Sequence, residues 1–321
     1  MWKKMNRAMS FVAVASLAVG LSVSAAQAEY PEKPITIVLP MGAGGSHDLN
    51  ARVITSIIPQ YLGQGMIVKL TPGAGGQKGT QEVANAEADG YTLLFSHNYL
   101  DMLQHHVEKL PYEPMKDFVP VARVNYSPIA VAVPADSPYN TLQELIDAAK
   151  EKPGSVRMAH SGNWGALFVP AAQIMKETGA EFNLVPYKGG GPALQALLAG
   201  DADVTMGFPS ALGSLRDAGK IKILASAGDE ATYDGVPTFK EAGLDGDFGY
   251  MQRIVLVPAG TPQPVIDKLE TAFKELQGDK TYQRMMSRLG ENTELMGAND
   301  YQKLREQQNG EYKVLVDSIV K

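Results

Sequence analysis

The sequence predicts an α/β protein folded into two lobes, each built on a mostly parallel sheet, with a cleft between them. From Pro34 onward, short apolar runs alternate with segments of helical periodicity, the pattern of repeated strand–helix units. Two segments interrupt the alternation: Asp117-Phe118-Val119-Pro120 followed by Tyr126-Ser127-Pro128, and the Gly/Asp-rich stretch from Gly243 to Gly249. Crossings at both places assign residues 29–127 and 252–321 to one lobe and 128–251 to the other, and a double crossing makes a hinge. Glycine clusters recur where a strand gives way to a helix.

Taken in order, Ile35 to Leu39, Met66 to Leu70, Tyr91 to Phe95, Ile129 to Val133, Val156 to Ala159, Phe182 to Val185, Val204 to Met206, Ile221 to Ala225 and Ile254 to Val257 read as strands. Between them, Leu49 to Leu62, Leu142 to Lys150, Leu167 to Thr178, Ala193 to Ala199 and Val265 to Leu276 read as amphipathic helices. The stretch from Asn299 to Val320 reads as a helix with no strand after it, placed to pack across a domain as a clasp.

With 321 residues, 45% of them hydrophobic and 20% charged, the chain can bury roughly three quarters of its unfolded surface without metal or disulfide. Cysteine is absent, which excludes thiolate nucleophiles, thiolate metal sites and thioether lipid anchors. Residues 1–28 read as a secretory signal. Lys3, Lys4 and Arg7 precede an apolar stretch from Phe11 to Val23, and Ala26-Gln27-Ala28 offers a small-x-small cleavage site. Without those three cations the mature chain has 26 basic against 35 acidic residues, a net charge of −9. The acidic balance, with no Lys/Arg run beyond residue 7, argues against nucleic acid. A freely soluble protein of a bacterial periplasm, binding something small, is expected.

Four glycine clusters carry most of the functional signal: Met41-Gly42-Ala43-Gly44-Gly45-Ser46, Thr71-Pro72-Gly73-Ala74-Gly75-Gly76, His160-Ser161-Gly162-Asn163-Trp164-Gly165 and Tyr187-Lys188-Gly189-Gly190-Gly191-Pro192. Glycine permits close backbone approach, and a helix start offers free N–H groups and partial positive charge, a combination suited to an anion. Ligands of open α/β sheets lie at the carboxyl ends of the strands, so turns from two lobes can converge on one crevice. Neither a dinucleotide fingerprint nor a phosphate-binding loop is spelled, since His47 stands where a third glycine is needed and Gly75-Gly76-Gln77-Lys78-Gly79-Thr80 has the wrong order. The turns suit a carboxylate better than a pyrophosphate, and no cofactor is expected.

Seven blocks then carry a resemblance. They are Tyr30-Pro31-Glu32-Lys33-Pro34-Ile35-Thr36-Ile37-Val38, Gly44-Gly45-Ser46-His47-Asp48, Leu62-Gly63-Gln64, Pro72-Gly73-Ala74-Gly75-Gly76, Asp89-Gly90-Tyr91-Thr92-Leu93-Leu94, Val185-Pro186-Tyr187-Lys188-Gly189 and Pro258-Ala259-Gly260-Thr261-Pro262. In this order they resemble the substrate-binding receptors of tripartite tricarboxylate transporters, the Bug or TctC-like proteins. The resemblance implies a two-lobed, type II-like periplasmic binding protein fold that closes on a di- or tricarboxylate. It also implies delivery to a membrane permease of one large and one small subunit, by a protein expected to act as a monomer. It assigns one ligand carboxylate to Met41, Gly42, Ala43, Gly44, Gly45 and Ser46 with Gly73, Ala74, Gly75 and Gly76. The rest of the ligand would fall to His160, Ser161, Gly162, Asn163 and Trp164 and to the turn after Tyr187. The sequence departs from the family in having Pro40-Met41-Gly42-Ala43 where Pro-Phe-Ala-Pro is usual, Gly207 where an aspartate commonly pairs with a ligand amino group, and Gln252-Arg253-Ile254 where Trp-x-Gly is usual.

Among single residues, His47, His97 and His160 follow strands at the presumptive cleft and can donate to a carboxylate; no ligand spacing for a metal accompanies them. Trp164, the mature chain's only tryptophan, is read as either a packing residue or a ligand wall. Arg253, in an otherwise apolar strand, is expected to reach the cleft and pair with a second acid of the ligand; the alternative is a structural pair with a protein carboxylate at the hinge. No nucleophile elbow is present, and the neighbours Ser96 and His97 cannot easily face each other. A receptor, not an enzyme, is therefore expected; a small-carboxylate enzyme and a sensor input subunit on the same fold are the rivals.

Overall fold

The computed structural model describes residues 30–245 and 249–320; the export signal expected at 1–28 lies outside them. The chain runs through β1 (Ile35–Leu39), α1 (Ser46–Ile57), α2 (Pro59–Leu62), β2 (Met66–Leu70), α3 (Gln77–Ala84), β3 (Thr92–His97), α4 (Pro114–Asp117) and the long β4 (Phe118–Pro128). Then follow β5 (Ala130–Pro134), α5 (Leu142–Glu151), β6 (Arg157–His160), α6 (Phe168–Thr178), β7 (Asn183–Pro186), α7 (Gly190–Ala199), β8 (Val204–Gly207), α8 (Pro209–Asp217) and β9 (Ile221–Ser226). The return is made by β10 (Tyr250–Pro258), α9 (Gln263–Gly278), α10 (Lys280–Arg288), β11 (Met296–Gly297) and α11 (Ala298–Val320).

Two sheets result, with strand orders β11-β4-β10-β3-β1-β2 and β7-β6-β8-β5-β9. Parallel pairing, as the alternation predicts, joins β2, β1 and β3 in one sheet and β7, β6 and β8 in the other. The remaining pairs are antiparallel, so both sheets are mixed. The reason is the double crossing. The chain leaves the first sheet along β4 and comes back along β10, and the two pair over their whole length. What the sequence offers as a break at residues 117–128 is thus a strand of the first sheet, its prolines standing at Pro120 and Pro128.

Each sheet has its own apolar core. Ile37, Leu39, Phe95, Val255, Leu269 and Phe273 belong to the first, and Val131, Met158, Val169, Ile174 and Val204 to the second. Strands covered by helices on both faces need continuous apolar runs, and β1 and β10 are buried almost throughout. Two side-chain caps fix helix starts. Thr141 accepts from the Glu144 N–H ahead of α5, and Asp279 accepts from the Thr281 and Tyr282 N–H groups at the α9–α10 junction.

Helix α11 is the expected clasp. At its start Tyr301 and Arg305 bind Asp101, in the single π-helical turn that follows β3. At its end Val316 lies in the core of the second sheet, flanked by Tyr312, Leu315 and Ile319.

Candidate functional site

The four glycine turns meet. Helices α1 and α7 begin at Gly45 and Gly189, neither with a side-chain cap, so their first N–H groups are left for other partners. The two turns touch through backbone. The Gly42 N–H donates to the Lys188 carbonyl at 2.8 Å, and a Cβ on Gly191 would lie 2.0 Å from the Ala43 carbonyl oxygen. The other two turns meet in the same way, a Cβ on Gly162 coming within 2.9 Å of the Gly75 Cα. Ala74 and Trp164 hold φ of 46° and 56°, a left-handed conformation uncommon for residues with a side chain and concentrated at functional sites. Both stand in these facing turns. The Gln104 side-chain amide, through Nε2, donates to the Gly75 carbonyl at 3.0 Å.

Beside the contact lies an inner cavity of about 40 Å³. The first lobe contributes Met41, Gly42, Gly45, Ser46, His47 and His97; the second contributes Ser161, Ala166, Leu167, Gly190, Leu194 and the strand-end group Met206, Gly207 and Phe208, with Ala211, Leu212 and Met251 closing it. None of these carries a permanent charge. Outside lies an open cleft of about 470 Å³ whose walls are Gly73 to Gln77, Glu108, Ser161 to Trp164 and Pro186 to Lys188, with Met41 and Ser161 shared between the two spaces. Ala43 and Gly44 line neither space. Trp164 packs its ring 5.1 Å from Phe168 and serves the outer cleft as wall.

The histidines divide. His160 lines neither space and packs on Phe168, ring centroids 5.2 Å apart. His47 and His97 both line the inner cavity, their rings edge to face at 5.7 Å. His47 Nε2 lies 2.8 Å from the Phe95 carbonyl, and His97 Nδ1 accepts from the Leu100 N–H at 3.4 Å. The other nitrogen of each ring, His47 Nδ1 and His97 Nε2, is buried and has no hydrogen-bond partner among the described residues. Burial pushes His97 down to about 3, helped by the nearby charge of Arg253. Burial, His97 and Arg253 together hold His47 well below the ordinary histidine range. Both rings are therefore neutral at physiological pH.

Arg253 corrects the expectation that it faces the ligand. Fully buried, it sits on β10 opposite His97 of β3 and Asn125 of β4, one layer behind the cavity wall formed by Ser46 and Phe208. Its Nη1 donates to Glu291 at 2.9 Å, Ser127 at 2.7 Å and Asn125 at 3.0 Å, and its Nη2 to Glu291 at 3.1 Å and to Ser46. A guanidinium inside a sheet needs a carboxylate, and a protein residue supplies it. Glu291 in turn accepts from Ser127 and from the Ser210 hydroxyl at 2.5 Å and Ser210 N–H at 3.3 Å, at the start of α8 in the second lobe. Burial opposes the charge of Glu291, but Arg253 and these hydroxyls hold its carboxyl below the usual range.

Sequence reasoning missed Glu291, Ser210, the buried Asn50, which donates to the Ser210 hydroxyl at 3.3 Å and accepts from Asn125 at 2.8 Å, and the apolar lining from Leu194, Leu212 and Met251. The one available signal was Arg253 itself, a lone cation in an apolar strand that must have an acid somewhere. At Gly207 a Cβ would lie 2.9 Å from the Leu212 side chain, so Leu212 occupies the space an aspartate would take. Among the described residues no group of three His, Asp or Glu is placed to hold a metal ion, and no helix is long and apolar enough to cross a membrane.

Comparison with known proteins agrees with this architecture. Residues 50–320 match the family described as the tripartite tricarboxylate transporter family receptor. A UPF0065 protein of the gbd 5′ region of Cupriavidus necator is 30% identical over 96% of this chain and 95% of its own length. Protein BugT of Bordetella pertussis is 31% identical over 84% of each. Among solved structures, MatC from Rhodopseudomonas palustris with bound malate superposes with a TM-score of 0.84 at 27% identity, covering 89% of this chain and all of MatC. R. palustris Rpa4515 with adipate gives 0.86 at 25% identity, over 91% and 98%. The chain belongs to the TctC family of tripartite tricarboxylate transporter receptors.

Proposed function

We propose that the protein is a periplasmic solute receptor that closes on a small carboxylate and delivers it to a membrane permease of one large and one small subunit. The observation that carries this is the convergence of two helix starts without side-chain caps, those of α1 and α7, on a cavity between the lobes. Helix N-termini attract anions through free N–H groups and the helix dipole. Glycine lets the backbone approach without a side chain intervening. Malate in MatC and adipate in Rpa4515 support the ligand class. Met41, Gly42, Gly45 and Ser46 with Gly73 to Gly76 take a carboxylate from one lobe; Ser161, Gly162, Asn163 and Tyr187 complete the site from the other. Residues 29–127 with 252–321 and residues 128–251 are the two bodies that close, after export and cleavage following Ala28, and the receptor works as a monomer without turnover.

Calorimetric titration of the purified mature protein with citrate, simple and aromatic dicarboxylates, glutamate and aspartate tests the proposal. Saturable binding of a carboxylate with no product is expected. Amino acids are expected to bind poorly, because an ammonium beside Gly207 meets no carboxylate and its lost hydration goes uncompensated. Tight glutamate or aspartate binding would overturn the argument from Gly207, and no carboxylate binding at all would overturn the receptor reading.

A further inference from the structure

The two orphaned nitrogens belong to histidines that line the inner cavity, they differ in kind, and the difference can be assigned from their ring partners. A carbonyl only accepts, so His47 Nε2, bonded to the Phe95 carbonyl, carries that ring's proton and leaves Nδ1 as a bare acceptor. A backbone N–H only donates, so His97 Nδ1, which takes the Leu100 N–H, is the unprotonated nitrogen of its ring and Nε2–H is a free donor. Two neighbouring rings, 5% and 1% exposed, thus hold one unpaired donor and one unpaired acceptor in residues that line the same cavity, among methionine, leucine and phenylalanine side chains.

We propose that His47 and His97 together recognise a hydroxyl group of the ligand, so that the receptor selects hydroxy acids over the matching acids without the hydroxyl. A hydroxyl oxygen accepts from His97 Nε2–H while its own hydrogen is donated to His47 Nδ1. No other common substituent of a small acid does both at one atom. A second carboxylate is a poorer match, since it can satisfy the donor but faces the bare acceptor with a lone pair, and both rings are uncharged. Buried polar atoms left unpaired are costly, and a site built to bond a hydroxyl discriminates strongly against the analogue that lacks it. The cavity of about 40 Å³ has room for roughly three water molecules, which favours a short acid. This inference rests on the carboxylate reading above and adds the substituent that the acid carries.

Matched pairs separate the two claims: lactate with propionate, 3-hydroxybutyrate with butyrate, malate with succinate, each titrated calorimetrically into wild-type protein and into the His97→Leu, His97→Gln and His47→Leu variants. At least a tenfold preference for the hydroxylated member is expected in wild type for the best-bound pair. His97→Leu and His47→Leu should each reduce it to less than threefold, and His97→Gln, whose amide N–H reaches the position of Nε2, should restore most of it. Equal binding of both members by wild type overturns the histidine assignment while leaving the carboxylate reading intact, and needs no variant to fold. Selectivity that survives in both leucine variants overturns it too. If none of the acids binds, the carboxylate reading fails, and this inference with it.

Discussion

Arg253 and Arg305 are each completely buried, and each meets one carboxylate in a forked pair, yet the two pairs are built into different parts of the molecule. Arg305 holds Asp101 at 2.7 to 3.1 Å and spends its remaining donors on the Phe118 and Pro114 carbonyls. Every one of these partners lies in the part of the chain that carries the first sheet. Arg253 holds Glu291, but Glu291 also accepts from Ser210, at the start of a helix packed against the second sheet. The first pair has the same partners whether the lobes are together or apart. The second is complete only when they are together. Burial alone does not distinguish an arginine that anchors an element within one lobe from one that joins the two lobes; the identity of the carboxylate's other partners does.

The largest expected effect breaks both pairs and separates them. Arg305→Met leaves Asp101 buried without its counter-charge and should lower the unfolding free energy by about 3–5 kcal/mol, measured in urea, with ligand affinity preserved under conditions where the variant is folded. Arg253→Met should cost a similar amount of stability and should also weaken binding, because Ser46 at the start of α1 loses its anchor and Glu291 loses the charge that keeps it ionised. If Arg305→Met impairs binding as much as Arg253→Met does, the distinction between anchor and latch is wrong.

Steric disruption of the lobe contact should have the next largest effect. Gly191 lies in the first turn of α7, where alanine is tolerated and is intrinsically more favourable than glycine by roughly 0.5–1 kcal/mol. A Cβ there would be 2.0 Å from the Ala43 carbonyl oxygen across the interface. Gly191→Ala should therefore keep or slightly raise the melting temperature of the ligand-free protein while reducing affinity by at least a hundredfold, about 2.7 kcal/mol. Gly213→Ala, in α8 with open space around the new carbon, is the matched control and should bind normally. Normal binding by Gly191→Ala would mean that ligand is held with the turns apart.

How far the sequence foretold this arrangement depends on the range of the interactions involved. Local signals sufficed for β1 and β2, whose apolar runs match the strands residue for residue, and for the glycine clusters, whose strand-to-helix placement put all four at the cleft. They failed at β4. Its Pro120 and Pro128 read as an interruption of the alternation, and nothing local marks Asn125 and Ser127 as buried, because what satisfies them comes from Asn50, Arg253 and Glu291, distant in sequence. Glu291 was illegible for the same reason, following α10 in a Leu-Gly-Glu-Asn stretch that looks like an exposed helix end. Arg253 announced that a carboxylate was needed without saying whether ligand or protein would bring it.

The smallest expected effect is the most specific to closure. Ser210 gives Glu291 two hydrogen bonds, from Oγ at 2.5 Å and from the backbone N–H at 3.3 Å, and its hydroxyl also accepts from Asn50 Nδ2 at 3.3 Å. Ser210→Ala removes only the hydroxyl. The backbone donor, the proline that starts α8 and the Arg253–Glu291 pair all remain, so each lobe should be as stable as before. With the lobes apart, water serves the serine and the glutamate equally well, and the deleted bond therefore counts only in the closed arrangement. A hydrogen bond to a charged acceptor contributes about 1.5–3 kcal/mol, and solvent or a small shift of Asn50 should recover part of it. On the proposed closure, by which ligand shifts the population towards the closed state, affinity should then fall about tenfold, about 1.4 kcal/mol, read by calorimetry at unchanged melting temperature of the ligand-free protein. Ser127→Ala deletes another hydroxyl from the same carboxylate but from within the first sheet, and should show the reverse pattern, with stability reduced and affinity nearly unchanged. Should the two alanine variants behave alike, Glu291 is a scaffold residue only, and closure is governed by the glycine turns alone.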